Sequence, residues 1–348
     1  MFVALRDLRA ARGRFALITL VVVMVALLVS FLSGLTSGLA HQNISALRKM
    51  SGDTVVFADS GTAPSFDSSA LTADQVRTWQ RAAHADPVGI SHAQATRDGV
   101  PPAQVALFGT AGPTFGNRTA TEPGSVVLSA PAARDLSATA GDRITLGNTT
   151  FTVTSIGDDD WYAHSPVVWM TLADWQSATP RGGAATILVA SRVPDAGTVN
   201  AAAHTTTTGP SDALQAIGSY RAENGSLTLM TILLYAISAL VIGAFFTVWT
   251  IQRTPDIAIL KALGATTGSL VADALGQALI VLLTGVGIGL AITALAGAAL
   301  GTTVPFVLSA ATTLAPGTAL IGLGLLGAGV ALRFLATADP LTALNQTR

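Results

Sequence analysis

The 348 residues are half hydrophobic and only 11% charged, whereas an ordinary soluble domain carries about a quarter charged residues. That balance excludes a simple soluble protein and points to the membrane. A net charge of −1 gives no bulk attraction to nucleic acid, and the lack of cysteine excludes disulfides, thiolate metal sites and cysteine nucleophiles.

Residues 1–14 carry Arg6, Arg9, Arg12 and Arg14 and are expected to lie along the inner membrane surface as an amphipathic segment. Residues 15–39 form the first expected transmembrane helix. Basic residues in front and "GLA" behind imitate a signal peptide, but the apolar core from Phe15 to Leu32 exceeds the usual h-region, so a retained helix is expected. Within it Ser30, Gly34 and Gly38 are four apart on one face. Such a ridge lets helices approach closely, and it suits either a second copy of the chain or packing within one copy.

Residues 40–226 follow as a large polar block with mixed α and β signals. "TADQVRTWQRAAH" (72–84) has the spacing of an amphipathic helix. "SVVLSAPAARDL" (125–136) suggests a strand and then a short helix. "GDRITLGNTTFTVTSIG" (141–157) alternates around Gly147-Asn148 and predicts a hairpin. "SPVVWMTLADWQ" (165–176) predicts a strand and then a helix capped by Thr171. The Thr- and Ala-rich stretch from Ser191 to Leu214 predicts loop plus helix. "GDDDW" (157–161) is expected to be a solvated acidic turn, because the later carboxylate of a calcium loop is missing.

Three more apolar stretches, 227–252, 270–300 and 318–335, are long enough to cross a bilayer, which takes about 20 helical residues. Between them lie 253–269 and an external loop at 301–317, and 336–348 form a cytoplasmic tail. Lys and Arg near the span ends put residues 1–14, 253–269 and the tail in the cytoplasm, and 40–226 outside. The expected fold is a polytopic α-helical membrane protein with four transmembrane helices in 1+3 topology and an inserted mixed α/β extracytoplasmic domain. Gly285, Gly287 and Gly289 in the third span are expected to serve tight packing.

No enzyme site emerges. There is no HExxH and no GxSxG, and the five histidines show no i,i+4 pair for a metal. A P-loop is absent too: the chain's two lysines, Lys49 and Lys261, do not follow glycines. Yet "DIAILKALGATTGSL" (256–270) is more than a linker. Ile257, Ile259, Leu260 and Leu263 are spaced as one face of a short cytoplasmic helix. That face suits either a groove on a nucleotide-hydrolysing partner or the lipid surface.

The stretch "DIAILKALGATTGSLVADAL", the opening "ALRDLRAARGRFALITLVVVMVALLVSFLSGL" and the 1+3 topology together resemble the FtsX-like, MacB-type ABC transporter permeases over nearly the whole chain. One departure is Thr254-Pro255, where such permeases often carry charges; proline suits the first turn of a helix. The resemblance implies a homodimer that works with two copies of a separate ABC ATPase and is not catalytic alone, and the spacing of Ser30, Gly34 and Gly38 independently offers a dimer contact. ATP-Mg would sit on that partner, and Ile257, Leu260, Lys261, Leu263 and Gly264 would couple to it. No intrinsic cofactor is implied.

Overall size, "DDDWYAHSPVVWMTL" and "SYRAENGSL" resemble the heme-exporter (HrtB-type) permeases of Gram-positive bacteria. That implies heme efflux from the membrane through an outer-leaflet groove at the dimer interface. Export of a peptide or macrolide antibiotic, or mechanotransmission to an extracellular protein, remain the alternatives. For heme, iron ligands can be His, Met or Tyr. The expected cargo residues are Tyr220, Tyr162, Met50, His41, Met230 and His164, with Arg221 on a propionate and Glu223 beside it.

Overall fold

The computed structural model describes residues 12–118, 120, 122–179, 183–252, 259, 263–300 and 304–336. The chain divides into two units, residues 1–38 with 226–348, and residues 39–225.

Helix α1 (Arg12–Ile44) opens the described chain. Its stretch Phe15–Ile44 is long and apolar enough to cross a membrane. The helix runs past the expected end at residue 39, and its last residues, Leu39–Ile44, belong to the second unit.

That unit is built on one mixed sheet. In chain order its elements are β1 (Thr54–Ala58), α2 (Ala73–Ala82), β2 (His84–Arg97), β3 (Val100–Thr110), β4 (Ser125–Leu128), α3 (Ala130–Asp135), β5 (Arg143–Leu146) and β6 (Thr149–Ile156). They continue with β7 (Trp161–Tyr162), β8 (Ser165–Thr171), α4 (Leu172–Ala178), β9 (Ile187–Ser191), α5 (Ala196–Ala203), β10 (Thr205–Thr208) and α6 (Pro210–Ala213). The strand order is β10-β1-β9-β2-β3-β8-β4-β6-β5, and β7 pairs with β8. Because β5 also returns to β2 through Ala95↔Leu146 and Thr96↔Thr145, strands β2, β3, β8, β4, β6 and β5 close into a ring.

Successive side chains of a strand point to opposite faces, and β3 and β8 use this to feed two cores. Val105, Leu107, Val168 and Met170 enter one, with Phe151 and Trp175. Ala106, Phe108, Val167 and Trp169 enter the other, with Phe57, Phe66, Phe115 and Tyr162. Burial on both faces explains the unbroken apolar runs "VALF" and "VVWM". Gly89 of β2 lies directly opposite Gly109 of β3, and the Trp175 side chain rests on both, where a Cβ on either glycine would overlap it. The indole Nε1 then donates to Ser91 Oγ at 2.9 Å.

Local chemistry sets the helices. Thr72 caps α2 through a capping box with Gln75, and Val76 and Trp79 are buried with Val56, Leu71 and Leu188. Ser129 and Thr171 cap α3 and α4 by accepting from Ala132 N and Asp174 N. The expected elements at 72–84, 125–136, 141–157 and 165–176 are all present. The stretch expected as loop plus helix also contains a strand, β10, which pairs with β1.

Three long helices follow. Helix α7 (Gly218–Gln252) begins well before the expected residue 227. Helix α8 (Thr267–Leu300) matches its apolar stretch closely. Helix α9 (Ala310–Ala336) starts inside the expected loop and contains Pro316. A reciprocal cap starts it early: Ser309 N donates to Thr312 Oγ1 at 2.9 Å and Thr312 N to Ser309 Oγ at 3.2 Å. Spanning helices tolerate such a proline.

Within the first unit, packing relies on small residues. A Cβ on Gly285 would stand 2.7 Å from Val22, and one on Gly289 would stand 2.7 Å from Ala26, so both glycines seat α8 against α1; Gly287 faces open space. Gly324 meets Leu282, and Gly327 meets Gly243 backbone to backbone. Hydroxyls of Thr231, Ser238, Thr247, Thr284 and Thr293 each donate to the carbonyl four residues earlier, as a bilayer requires.

The glycine ridge of α1 is filled by the chain itself. Phe306 covers Gly34, its ring also touches Gly297, and Pro305 covers Gly38. Val307 N donates to Gly34 O at 3.1 Å, and Ser30 is buried. The dimer contact expected on Ser30, Gly34 and Gly38 is therefore corrected to an intrachain contact, since no room is left there for a second copy.

Candidate functional site at the helix ends of the inserted domain

Within the inserted domain, the last turn of α1, the first turns of α7 and the tight turn from β7 to β8 meet. Two residues of that turn, Ala163 and His164, have φ of 45° and 62°. Non-glycine residues in this left-handed region cost about 1–2 kcal/mol each. Backbone bonds hold them there: Ala163 N donates to Asn43 O at 3.1 Å and His164 N to Gln42 O at 3.0 Å. Trp161 is fastened alongside, since its N–H donates to Ser45 Oγ at 2.8 Å and its carbonyl accepts from Ala46 N at 3.1 Å.

The side chains form a second layer of contacts. His164 Nε2 lies 2.7 Å from Glu223 Oε1. Asn43 Nδ2 donates to Glu223 Oε2 at 2.9 Å and to Leu39 O at 3.2 Å. Asn43 Oδ1 accepts from Ser219 Oγ at 2.6 Å. One carboxylate thus joins a histidine of the hairpin to a buried asparagine of α1, and it stands on α7. Asn43, the buried member, is hydrogen-bonded at both of its amide atoms. Nothing in the sequence singles out Asn43 or Ser219 beyond their standing just after one long apolar run and just before the next.

The acidic turn before β7 is not simply solvated. Asp160 is fully buried and pairs with Lys49 Nζ, which also reaches Asp158 Oδ2 at 3.1 Å. His41 Nε2 sits 3.1 Å from Asp159 Oδ2, and Trp161 Nε1 donates to Asp159 Oδ1 at 2.9 Å. A buried carboxylate needs a partner, and Lys49 supplies one. Among the described residues no group of three or more His, Asp or Glu is placed to hold a metal ion.

The expected cargo residues separate. His41, His164 and Glu223 take part in these networks, and Arg221 is exposed in the first turn of α7. Met50 and Tyr220 are half-buried against the core that holds Phe57 and Phe108. Met230 is exposed on α7. Tyr162 is corrected: it is 2% exposed, with Phe66 and Phe108 edge-on to its ring. Burial pushes its phenol far above the usual tyrosine range, and the charge of Asp67 adds to this. A phenol enclosed in this way leaves no approach for a heme iron. Of the expected coupling residues, Ile257, Leu260 and Lys261 lie outside the described residues. Leu263 is 79% exposed, and Gly264 has φ of 96° with open space beside it.

One long apolar helix, an inserted α/β domain and three more such helices define a multi-pass membrane protein of the permease type with a large outside domain. Residues 15–208, more than half the chain, match the model of the MacB-like periplasmic core domain, and residues 228–340 match that of the FtsX-like permease C-terminal region. The chain belongs to the MacB-like, FtsX-type family of ABC transporter permeases. A relative from Staphylococcus haemolyticus is 26% identical over 99% of both chains, and one from Staphylococcus epidermidis is 27% identical over 99% of both. Both are described as "Putative hemin transport system permease protein HrtB". The periplasmic region of MacB from Actinobacillus actinomycetemcomitans aligns at 13% identity and a TM-score of 0.37, over 49% of this chain and 95% of that one.

Proposed function

We propose that the chain is the membrane subunit of an ATP-driven pump that moves heme out of the membrane. Similarity along the full length to the staphylococcal hemin transport permeases carries this reading. The sequence has no P-loop of its own, so a separate ABC ATPase, with ATP-Mg, drives it. The cytoplasmic stretch at 253–269 receives that drive. Two copies of the chain form a groove open to the outer leaflet, and the cargo enters it from lipid.

The cargo residues in this reading are Tyr220, Met50, Arg221, His41, Met230, His164 and Glu223, without Tyr162. Heme offers an apolar disc, an iron and two carboxylates, so the ligands would be Tyr220 and Met50, with Arg221 on a propionate. A deletion strain grown in parallel against hemin, macrolides and antimicrobial peptides tests the substrate. Sensitivity to hemin alone is the expected result. Sensitivity to a macrolide or peptide without sensitivity to hemin overturns it.

A further inference from the structure

We propose that Asn43, His164 and Glu223 form a clasp that opens and closes the turn between β7 and β8 on the ends of α1 and α7, with Glu223 as the closing group. Three observations converge on it. The hairpin turn sits in a backbone conformation that Ala163 and His164 rarely adopt, with φ of 45° and 62°, so it does not hold its shape unaided. The two backbone bonds that hold it, Ala163 N to Asn43 O and His164 N to Gln42 O, end on the last carbonyls of a helix, which have no partner within that helix. His164 Nε2 donates to Glu223 Oε1, Asn43 Nδ2 donates to Glu223 Oε2, and Glu223 thus bonds both.

Geometry gives Glu223 the deciding role. Its two oxygens face two different elements, Oε1 the imidazole of the hairpin at 2.7 Å and Oε2 the amide of α1 at 2.9 Å. Removing the carboxylate leaves the Asn43 amide and the imidazole, 3.1 Å apart, without their shared acceptor. His164 and Glu223 are about one-third exposed, so water can replace their bonds when the clasp opens. The β2–β3 ladder next to it is held independently by its own pairs from Val88↔Thr110 to Arg97↔Val100. The turn at Ala163 and His164 can therefore lift while Tyr162 stays in the core and the domain stays folded. While the clasp is closed, these polar atoms are engaged with one another.

Amide hydrogen exchange on the full chain in lipid nanodiscs tests this without any partner or cargo. Glu223→Ala should speed exchange of the hairpin peptide 159–166 at least tenfold and leave the β2–β3 peptides at the wild-type rate. Glu223→Gln, which keeps one acceptor, should fall between. A hairpin rate in Glu223→Ala equal to wild type overturns the clasp. If Glu223→Ala instead exposes β2–β3 as well, Glu223→Gln decides alone, and a wild-type hairpin rate there overturns it. The result stands apart from the heme reading, because no hemin is added.

Discussion

Gly38 of α1 faces the carbonyl of Pro305 so closely that a methyl group on it would occupy the same space, and one turn earlier Gly34 meets the ring of Phe306 in the same way. The ring is shared with Gly297 of α8 and lies 5.3 Å from that of Phe31. Gly34→Leu should therefore act on the fold of one copy. We expect a loss of about 1–3 kcal/mol from overpacking, read by thermal unfolding in detergent. Adding Phe306→Ala should recover part of the loss, because the two sites share one space. A wild-type melting temperature for Gly34→Leu combined with a weaker dimer would contradict the intrachain assignment.

Tyr162→Phe should leave hemin binding untouched. The phenol is enclosed in the core, so the Soret shift of the purified protein in a hemin titration should equal that of wild type. Tyr162→Ala should cost about 3–5 kcal/mol of domain stability, as other large aromatic deletions do. Loss of the Soret shift in Tyr162→Phe alone would put the residue back among the ligands.

Lys49 holds the buried Asp160 and the exposed Asp158, and the two contacts should weigh differently. Lys49→Met should destabilise the outer domain by about 2–4 kcal/mol, since it leaves a buried carboxylate without its cation. Asp158→Asn should cost under about 1 kcal/mol, as an exposed pair does. Combining Lys49→Met with Asp160→Asn should restore part of the loss. Urea unfolding of the three variants separates these outcomes; equal costs for the first two would show that burial of Asp160 does not matter.

At the cytoplasmic stretch, Leu263→Asp changes a side chain that is 79% exposed, so the chain's own stability should stay within about 0.5 kcal/mol of wild type. On the proposed reading, co-purification with a partner ATPase, and the ATPase rate of that complex, should fall several-fold. An unchanged complex would show that this face meets lipid instead. Leu260→Asp offers the same test at a second position of the stretch.

Much of the architecture is legible in residue patterns, and the exceptions have physical causes. Strands β5 and β6 alternate, β4 and β8 are short apolar runs that end at a capped helix, and helices α2 and α4 carry a side-chain cap. The two longest strands do not. Pro87 and Gly89 interrupt β2, and Pro101, Pro102 and Gly109 interrupt β3. The glycines make sense only once Trp175 is seen resting on them. In the candidate site, His164 and Glu223 stand out as residue types, but their shared partner Asn43 lies 180 residues from Glu223. No local pattern records such a meeting. Tyr162 misleads for a related reason: an aromatic next to acidic residues reads the same whether its ring points into a core or toward a ligand.

Asn43, near the start of the inserted domain, and Ser219, near its end, are joined by a hydrogen bond of 2.6 Å. The domain therefore begins and ends at one point, like a bead tied on by a single knot. Insertions with adjoining ends are the ones a host chain accepts most readily. Exchange for another folded module whose ends lie equally close requires no change in the length of either flanking helix. Outer domains of quite different size and shape can thus be carried by the same set of spans, and the two helix ends that meet at Asn43 and Ser219 mark where the splice belongs.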